Sequence, residues 1–392
     1  MTQALAIETC HWREWSRYAD AWSALADRMP GATFFVSGAW MQTWLESFGA
    51  SLEPKLLVFR AGSAVVATCM LVRRTMKRGP FSIRRVYLNA HGEDDRDSAC
   101  TEFDTLVCEP GREAAVARAL RTYLEAMRTE EPWDELVVSA AIEGPMLTAM
   151  RDAFHELHAT SYDRPSFYVD LDEVRASGKD YTQSLASRLR TTFRQSVKRY
   201  GEHGDVRMEI AQTSAEAHAM LTELAILHQK GWADRGAPGS FASDVFFTFH
   251  RRLIDRCFDA GQIQLLRVVA GDTPIGALYN FIDRGKVYFY QCGFNYALNP
   301  KLSPGLLVQV YAIRHAAAAG LAEYDLMAGD VDYKRKLAAK HRDLHWFVWQ
   351  APGVKMRAFE LLRDAKHWAD RTSRAQRRTL ATTFRSLLPS RS

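Results

Sequence analysis

Residues 287–334 read VYFYQCGFNYALNPKLSPGLLVQVYAIRHAAAAGLAEYDLMAGDVDYK. The run Val287–Phe294 is aromatic and β-branched, which predicts a strand. Asn295–Ser303 is a turn, Pro304–Gly320 a helix and Glu323–Met327 a second strand, followed by the polar stretch Gly329-Asp-Val-Asp-Tyr-Lys334. Ser303 suits the cap of that helix and Pro304 its first turn. The layout predicts free backbone N–H groups at the end of a strand, aimed where an anionic phosphate would sit. The neighbouring strand brings Asp325, Asp330, Tyr333 and Lys334 close by. Together these are the parts needed to hold a phosphorylated donor beside an acceptor.

Working outward, 392 residues allow two or more domains. A hydrophobic share of 47% with 11% aromatics excludes a disordered chain, and a net charge of +5 is modest at this length. Cys10, Cys69, Cys100, Cys108, Cys257 and Cys292 are scattered without zinc-type spacing, so free buried thiols are predicted and no metal site. The N-terminus lacks a basic head followed by an apolar run, and no stretch approaches membrane-span length. A cytoplasmic protein is expected.

The chain divides into two units with one outline of helix, hairpin, further strands, helix and strand. Residues 1–165 hold a Trp-rich start, a helix over Ser37–Gly49, a hairpin of Lys55–Arg60 with Ala64–Arg73, strands at Val86–Asn89, Phe103–Val107 and Asp134–Ala140, and helices at Gly111–Arg128 and Gly144–His158. Residues 166–352 hold a strand at Phe167–Leu171 and an amphipathic helix over Lys179–Tyr200. A strand at Val206–Ala211, helices over Ser214–Arg235 and Asp244–Ala260, and a meander of Ile263–Val269, Thr273–Asp283 and Lys286–Phe294 follow, with a last strand at Leu344–Gln350. Residues 353–392 read as a basic helical tail. No residue-level repeat proves duplication.

The second unit resembles the Gcn5-related N-acetyltransferase (GNAT) superfamily. More narrowly it is similar to the CelD-type branch found with bacterial cellulose and exopolysaccharide biosynthesis, itself similar to the Fem aminoacyltransferases. The residues that carry this are Leu189–Arg199, Leu227-His-Gln-Lys-Gly-Trp232, Thr273–Tyr279, Tyr288–Phe294, Ser303–Leu307, Tyr324–Gly329 and Tyr333-Lys334. The resemblance implies an α+β fold of two tandem GNAT-like units, each a mixed, mostly antiparallel sheet flanked by helices, with the first unit degenerate. It implies acyl transfer from acetyl-coenzyme A or another acyl-coenzyme A to an amine, on an amino sugar or similar precursor of an exported polysaccharide. The chemistry is attack by a neutral amine, which needs a base, N–H groups for the oxyanion and an acid for the thiolate. The superfamily's phosphate loop, Gln/Arg-x-x-Gly-x-Gly/Ala, appears here as Leu302-Ser-Pro-Gly305-Leu-Leu307. The bulky Leu307 is expected to hinder close approach of a pyrophosphate. Two rivals follow: Fem-like transfer from aminoacyl-tRNA, and a degenerate transferase acting as a scaffold in a polysaccharide-export complex.

On this reading Asp330 orients or deprotonates the amine, Tyr333 donates to the leaving sulfur, and Lys334 meets donor phosphate or developing charge. The plain alternative is a helix cap and a solvated first turn. His228 is a base or simply a hydrogen-bonded helix residue. Ser303, Pro304, Gly305, Leu306 and Leu307 cradle the donor. Arg190 and Arg194, on a helix face without acids from Ser184 to Gly201, bind its phosphates or merely face solvent. Trp232 walls the acceptor pocket or packs in the core. Gln291 reaches the cleft, and Asp325 serves the site or a structural pair. The basic tail, with Arg371, Arg374, Arg377 and Arg378, attaches to an anionic membrane surface or a polysaccharide synthase, or is a solvated end.

Overall fold

The computed structural model describes residues 5–92, 97–298 and 302–365. The basic stretch from Arg371 onward lies outside the described residues, and residues 354–365 are helical. Among the described residues thirteen strands form one sheet: β1 (Ala6–His11), β2 (Lys55–Ala61), β3 (Ala64–Arg78), β4 (Phe81–Leu88), β5 (Val107–Cys108), β6 (Glu135–Ile142), β7 (His158–Asp170), β8 (Val206–Ile210), β9 (Ile263–Ala270), β10 (Thr273–Asp283), β11 (Lys286–Phe294), β12 (Glu323–Ala328) and β13 (Lys340–Gln350). The helices are α1 (Ala19–Arg28), α2 (Gly38–Leu52), α3 (Glu113–Met127), α4 (Pro145–Ala153), α5 (Leu171–Ala176), α6 (Ser187–Tyr200), α7 (Ser214–Ala233), α8 (Asp244–Cys257), α9 (Pro304–Ala318) and α10 (Asp332–Leu337).

The strand order is β1-β2-β3-β4-β6-β13-β7-β12-β11-β10-β9-β8, with β5 beside β3. All pairs are antiparallel except β4 with β6 and β11 with β12. The fold is thus two mixed, mostly antiparallel half-sheets in tandem, flanked by helices. They are joined through β13 and β7, paired from Lys340↔Tyr168 to Gln350↔His158. The strand that flanks β6 is β13, from the far end of the chain, and the strand that flanks β12 is β7, from its middle. The first half is closed by a strand from outside its own run of sequence, and β7 carries the sheet from one half into the other. The boundary expected between residues 165 and 166 falls inside β7.

Local chemistry explains the elements. The β10–β11 turn places Arg284 at φ 50° and Gly285 at φ 75°, the left-handed pair that matches strand twist in a two-residue hairpin. Thr213 caps α7 by accepting from Glu216 N, and Glu216 answers by accepting from Gln212 N. Ser303 departs from expectation: it makes no side-chain cap on α9, although Pro304 fills the first helical position as predicted. Residues 158–165 are mostly exposed and lack an apolar stripe, so β7 begins nine residues before the predicted strand at Phe167.

One apolar core runs beneath both halves. Phe34 of the first stacks on Phe281 of the second at 4.5 Å, and Trp40 meets Phe249 at 5.0 Å and Phe281 at 5.8 Å. His250 lies inside this cluster, 0% exposed, against Phe246, Phe249, Tyr279 and Tyr290, and neither ring nitrogen has a hydrogen bond. Burial drives its pKa down to about 3.

The unfolded chain therefore takes a proton at His250 from about pH 6.5 downward, while the folded chain refuses it until about 3. Stability falls as pH drops through that window, by about 1.4 kcal/mol per unit from this group. Urea unfolding of H250F at pH 7 and pH 5 should show about 2 kcal/mol less acid destabilisation than the wild-type chain. Equal pH dependence in the two proteins would overturn this account.

Candidate active site

The parallel strands β11 and β12 pair over three residues only, Lys286↔Glu323, Val287↔Tyr324 and Tyr288↔Asp325, and then part. A shift in register at Tyr279/Asn280 leaves Tyr290 as the extra residue of β11, a bulge that helps turn the strand away. On β12, Leu326 and Met327 oppose the single Phe167 of β7, and Met327 sits at φ 63°. A left-handed methionine needs outside support. Asp325 Oδ1 accepts from Met327 N at 2.7 Å and from Ser166 Oγ at 2.6 Å. Lys334 Nζ donates to Met327 O at 2.9 Å and to Ala328 O at 2.8 Å. Glu102, from the first half, accepts from Ala328 N at 2.8 Å.

The gap between the parted strands opens into a cavity of about 1140 Å³. Its floor is Phe289–Phe294 and Leu326–Ala328. Its walls are the start of α9, the α7 residues Leu227, His228 and Trp232 with Arg235 just beyond that helix, the α6 residues Arg188, Leu189 and Thr192, and α10 with Tyr333 and Lys334. Close packing of α7 on β11 depends on Gly293, where a Cβ would come within 2.4 Å of Leu224 O. That approach brings His228 Nδ1 within 2.9 Å of Cys292 O. A carbonyl only accepts, so Nδ1 carries the proton and Nε2 keeps its lone pair. Nε2 has no partner among the described residues and lies under Gly239, where a Cβ would come within 2.9 Å of it. Burial lowers the His228 pKa, which keeps the ring neutral.

Burial also lowers the pKa of Lys334, which is 7% exposed, against the opposing pull of Glu102 and Asp325. Two of its three N–H groups go to carbonyls, and among the described residues none accepts the third. The Cys292 thiol is pushed up to about 12 by burial and stays protonated, so it is no thiolate nucleophile. The Tyr333 phenol is also raised by its apolar surroundings. At the mouth, the Gly305 and Leu306 N–H groups fall in the first turn of α9 and lack intrahelical acceptors.

Of the predicted residues, the cavity gathers His228, Trp232, Gln291, Ser303, Pro304, Gly305, Leu306, Tyr333 and Lys334. Others fall elsewhere. Asp330 is exposed and accepts from Arg335 Nε at 2.6 Å, outside the cavity wall, because the chain turns outward at Gly329 (φ 130°). Asp325 is 0% exposed and is spent on the β12 bulge rather than on substrate. Leu307 packs into the second half's core, so its side chain is not the expected obstacle at the phosphate loop. Arg190 and Arg194 lie off the wall, which helical phase gives to Arg188 and Thr192. Glu102 lines the cavity unforeseen; as a lone acid between Thr101 and Phe103 it carries no periodicity or motif that could have marked it. Among the described residues, no group of three or more metal-ligating side chains gathers, and no helix is long and apolar enough to cross a membrane.

Replacing Asp325 tests its assignment. D325A strips Met327 N, Ser166 Oγ and Arg342 of one buried acceptor and should cost about 3–5 kcal/mol in urea unfolding. D325N, which keeps an oxygen for both donors, should cost less. A D325A loss within about 0.5 kcal/mol would contradict the role.

Comparison with known proteins agrees with this geometry. Residues 187–335 match the family model described as an acetyltransferase (GNAT) domain. The crystal structure of FemX superposes with a TM-score of 0.58 at 11% identity, covering 90% of this chain and 99% of that one. The C-terminal domain of a putative lysylphosphatidylglycerol synthetase from Agrobacterium fabrum superposes at 0.50 and 11% identity, covering 88% and 95%. No curated protein matches. Residues 187–335 thus match a GNAT acetyltransferase domain and sit in a fold shared with FemX, and the domain match makes the chain an acyltransferase.

Proposed function

We propose that this acyltransferase moves an acyl group from acetyl-coenzyme A or another acyl-coenzyme A to the amine of an amino sugar or related precursor in bacterial exopolysaccharide or cell-envelope synthesis. The observation that carries the donor assignment is the parted β11–β12 pair, with the first turn of α9 at its mouth and Lys334 beside it. The Gly305 and Leu306 N–H groups face the donor's pyrophosphate, and Arg188 lends charge. The acyl limb runs into the gap between the strands. The third N–H of Lys334 faces the carbonyl oxygen as it gains negative charge. The amine attacks, the C–N bond forms and the C–S bond breaks. His228 Nε2 takes the amine proton once the loop at Gly239 gives way, and the Tyr333 hydroxyl protonates the leaving thiolate. Trp232 and Gln291 border the acceptor side.

A second reading keeps a specific observation. Arg190, Arg194, Lys198 and Arg199 on α6 have no ion-pair partner among the described residues. Unpaired cations on one helix suit the phosphates of a tRNA, as the Fem-like alternative requires. Salt-sensitive tRNA affinity lost in R190Q/R194Q/K198Q would favour it. A scaffold without donor binding is the remaining alternative, and membrane or synthase attachment through the tail is a further proposal.

Thermal-shift titration with acetyl-coenzyme A and longer acyl-coenzyme A species tests the lead reading. A ligand at ~100 times its Kd adds about 2.7 kcal/mol of stability. K334M should keep donor binding and lose about 10²–10³-fold in thiol release. The wild-type rate should fall on the acid side as His228, whose pKa lies below the ordinary 6.5, takes a proton; H228Q should lack that limb. Absence of any acyl-coenzyme A stabilisation would sink the proposal.

A further inference from the structure

The matched domain does not build its cavity alone. A segment of the first half, residues 97–103, is laid against it. Tyr290 Oη donates to Ala99 O, and Ser243 Oγ donates to Asp97. At its inner end Glu102 takes the N–H of Ala328, the last residue of β12, while Lys334 takes the C=O of the same residue. Glu102 and Lys334 both line the cavity. Because Lys334 also donates to Met327 O, two oppositely charged side chains, remote in sequence, hold the Met327–Ala328 peptide unit at the edge of the parted strands.

A buried ammonium costs several kcal/mol unless a carboxylate offsets it. The groups that face Lys334 can be named. Asp325 on β12 is committed to Met327 N and Ser166 Oγ, with Arg342 Nε 3.8 Å from its other oxygen, and burial raises its pKa. Cys292 on β11 holds its proton. On its own helix, Asp332 pairs with Lys336, and Asp330 pairs with Arg335. Glu102, which accepts from Ala328 N beside the carbonyls that hold Lys334, is the carboxylate whose charge pulls most strongly on it.

We propose that Glu102 is a positioning residue for the acyl-transfer site, supplied by the first half: it fixes Ala328 at the cavity edge and holds Lys334 in its charged form. The role in transfer rests on the acyltransferase reading; the charge relation between the two side chains does not. The first half is then a working part of the site, and the bond to Ala328 leaves that N–H unavailable to substrate.

Competitive labelling of the full-length protein with acetic anhydride, followed across pH by mass spectrometry of the Lys334 peptide, reads the charge relation without any substrate. E102Q keeps an oxygen for Ala328 N and removes the charge, so the labelling midpoint of Lys334 should move to lower pH by about one unit, a tenfold change in its ionisation constant. E102D keeps the charge at shorter reach and should shift the midpoint less. An E102Q midpoint equal to wild type overturns the proposal. Should E102Q fail to fold, E102A, which also removes the charge, carries the test, and an unmoved midpoint there overturns it. With acetyl-coenzyme A and an accepted amine, the alkaline limb of kcat/KM should move with the labelling midpoint while donor KM stays unchanged. A moved midpoint without donor turnover would indict the acyltransferase reading and leave the charge relation standing.

Discussion

The structure depends on two parallel strands that stop pairing. After Tyr288 and Asp325 the backbones of β11 and β12 diverge, and their facing N–H and C=O groups lose their mutual partners. Buried backbone groups without partners are costly, so a gap of this kind persists only where other groups take them up. Here the left-handed Met327 turns β12 aside, and Asp325, Lys334 and Glu102 bind the groups that the turn exposes. Two of the charged side chains that support the gap, Lys334 and Glu102, also line the cavity. Lys334 reaches the cavity because its aliphatic stem is buried and its ammonium is tethered to β12 carbonyls.

The first half repeats the arrangement of strands. Its parallel pair, β4 and β6, also spans three residues, Arg85↔Glu135 to Tyr87↔Val137. On β6, Ser139 and Ala140 oppose the single Trp346, with Ala140 at φ 52°. This gap is filled. Asn89 donates to Asp104 and to Thr105 O, and Asp104 is 0% exposed with the Thr105 and Ser139 backbones around it. Burial raises the Asp104 carboxyl to about 8. One loop thus sends Asp104 into its own half and Glu102 into the other. The two halves share a design that no residue repeat displays, because it lives in backbone register and φ angles rather than in side-chain identity.

Much of the second half was legible. The Arg284-Gly285 turn, the aromatic β11, Pro304 at the start of α9 and the polar run after β12 are local signals, and they fixed the order of elements around the cavity. His228, Trp232 and Gln291 follow from helix phase and strand alternation. What failed was long-range. That Asp325 serves the backbone, that Asp330 turns to Arg335, and that Arg188 rather than Arg190 meets the cavity depend on where remote chain is placed. Glu102 shows this most sharply, since its partner lies 226 residues away. The outer part of β7 was hidden for another reason: residues exposed on both faces carry no period.

The place of β13 beside β6 has a consequence for biogenesis. The strand beside β6 is among the last segments of the described fold to leave the ribosome, after nearly the whole second half. Until then the nascent first half carries a bare, hydrogen-bond-hungry flank, the kind of edge that recruits stray strands. The first half's sheet can therefore close at β6 only after β13 has been made, so its parallel pair waits on a contact of very long sequence separation.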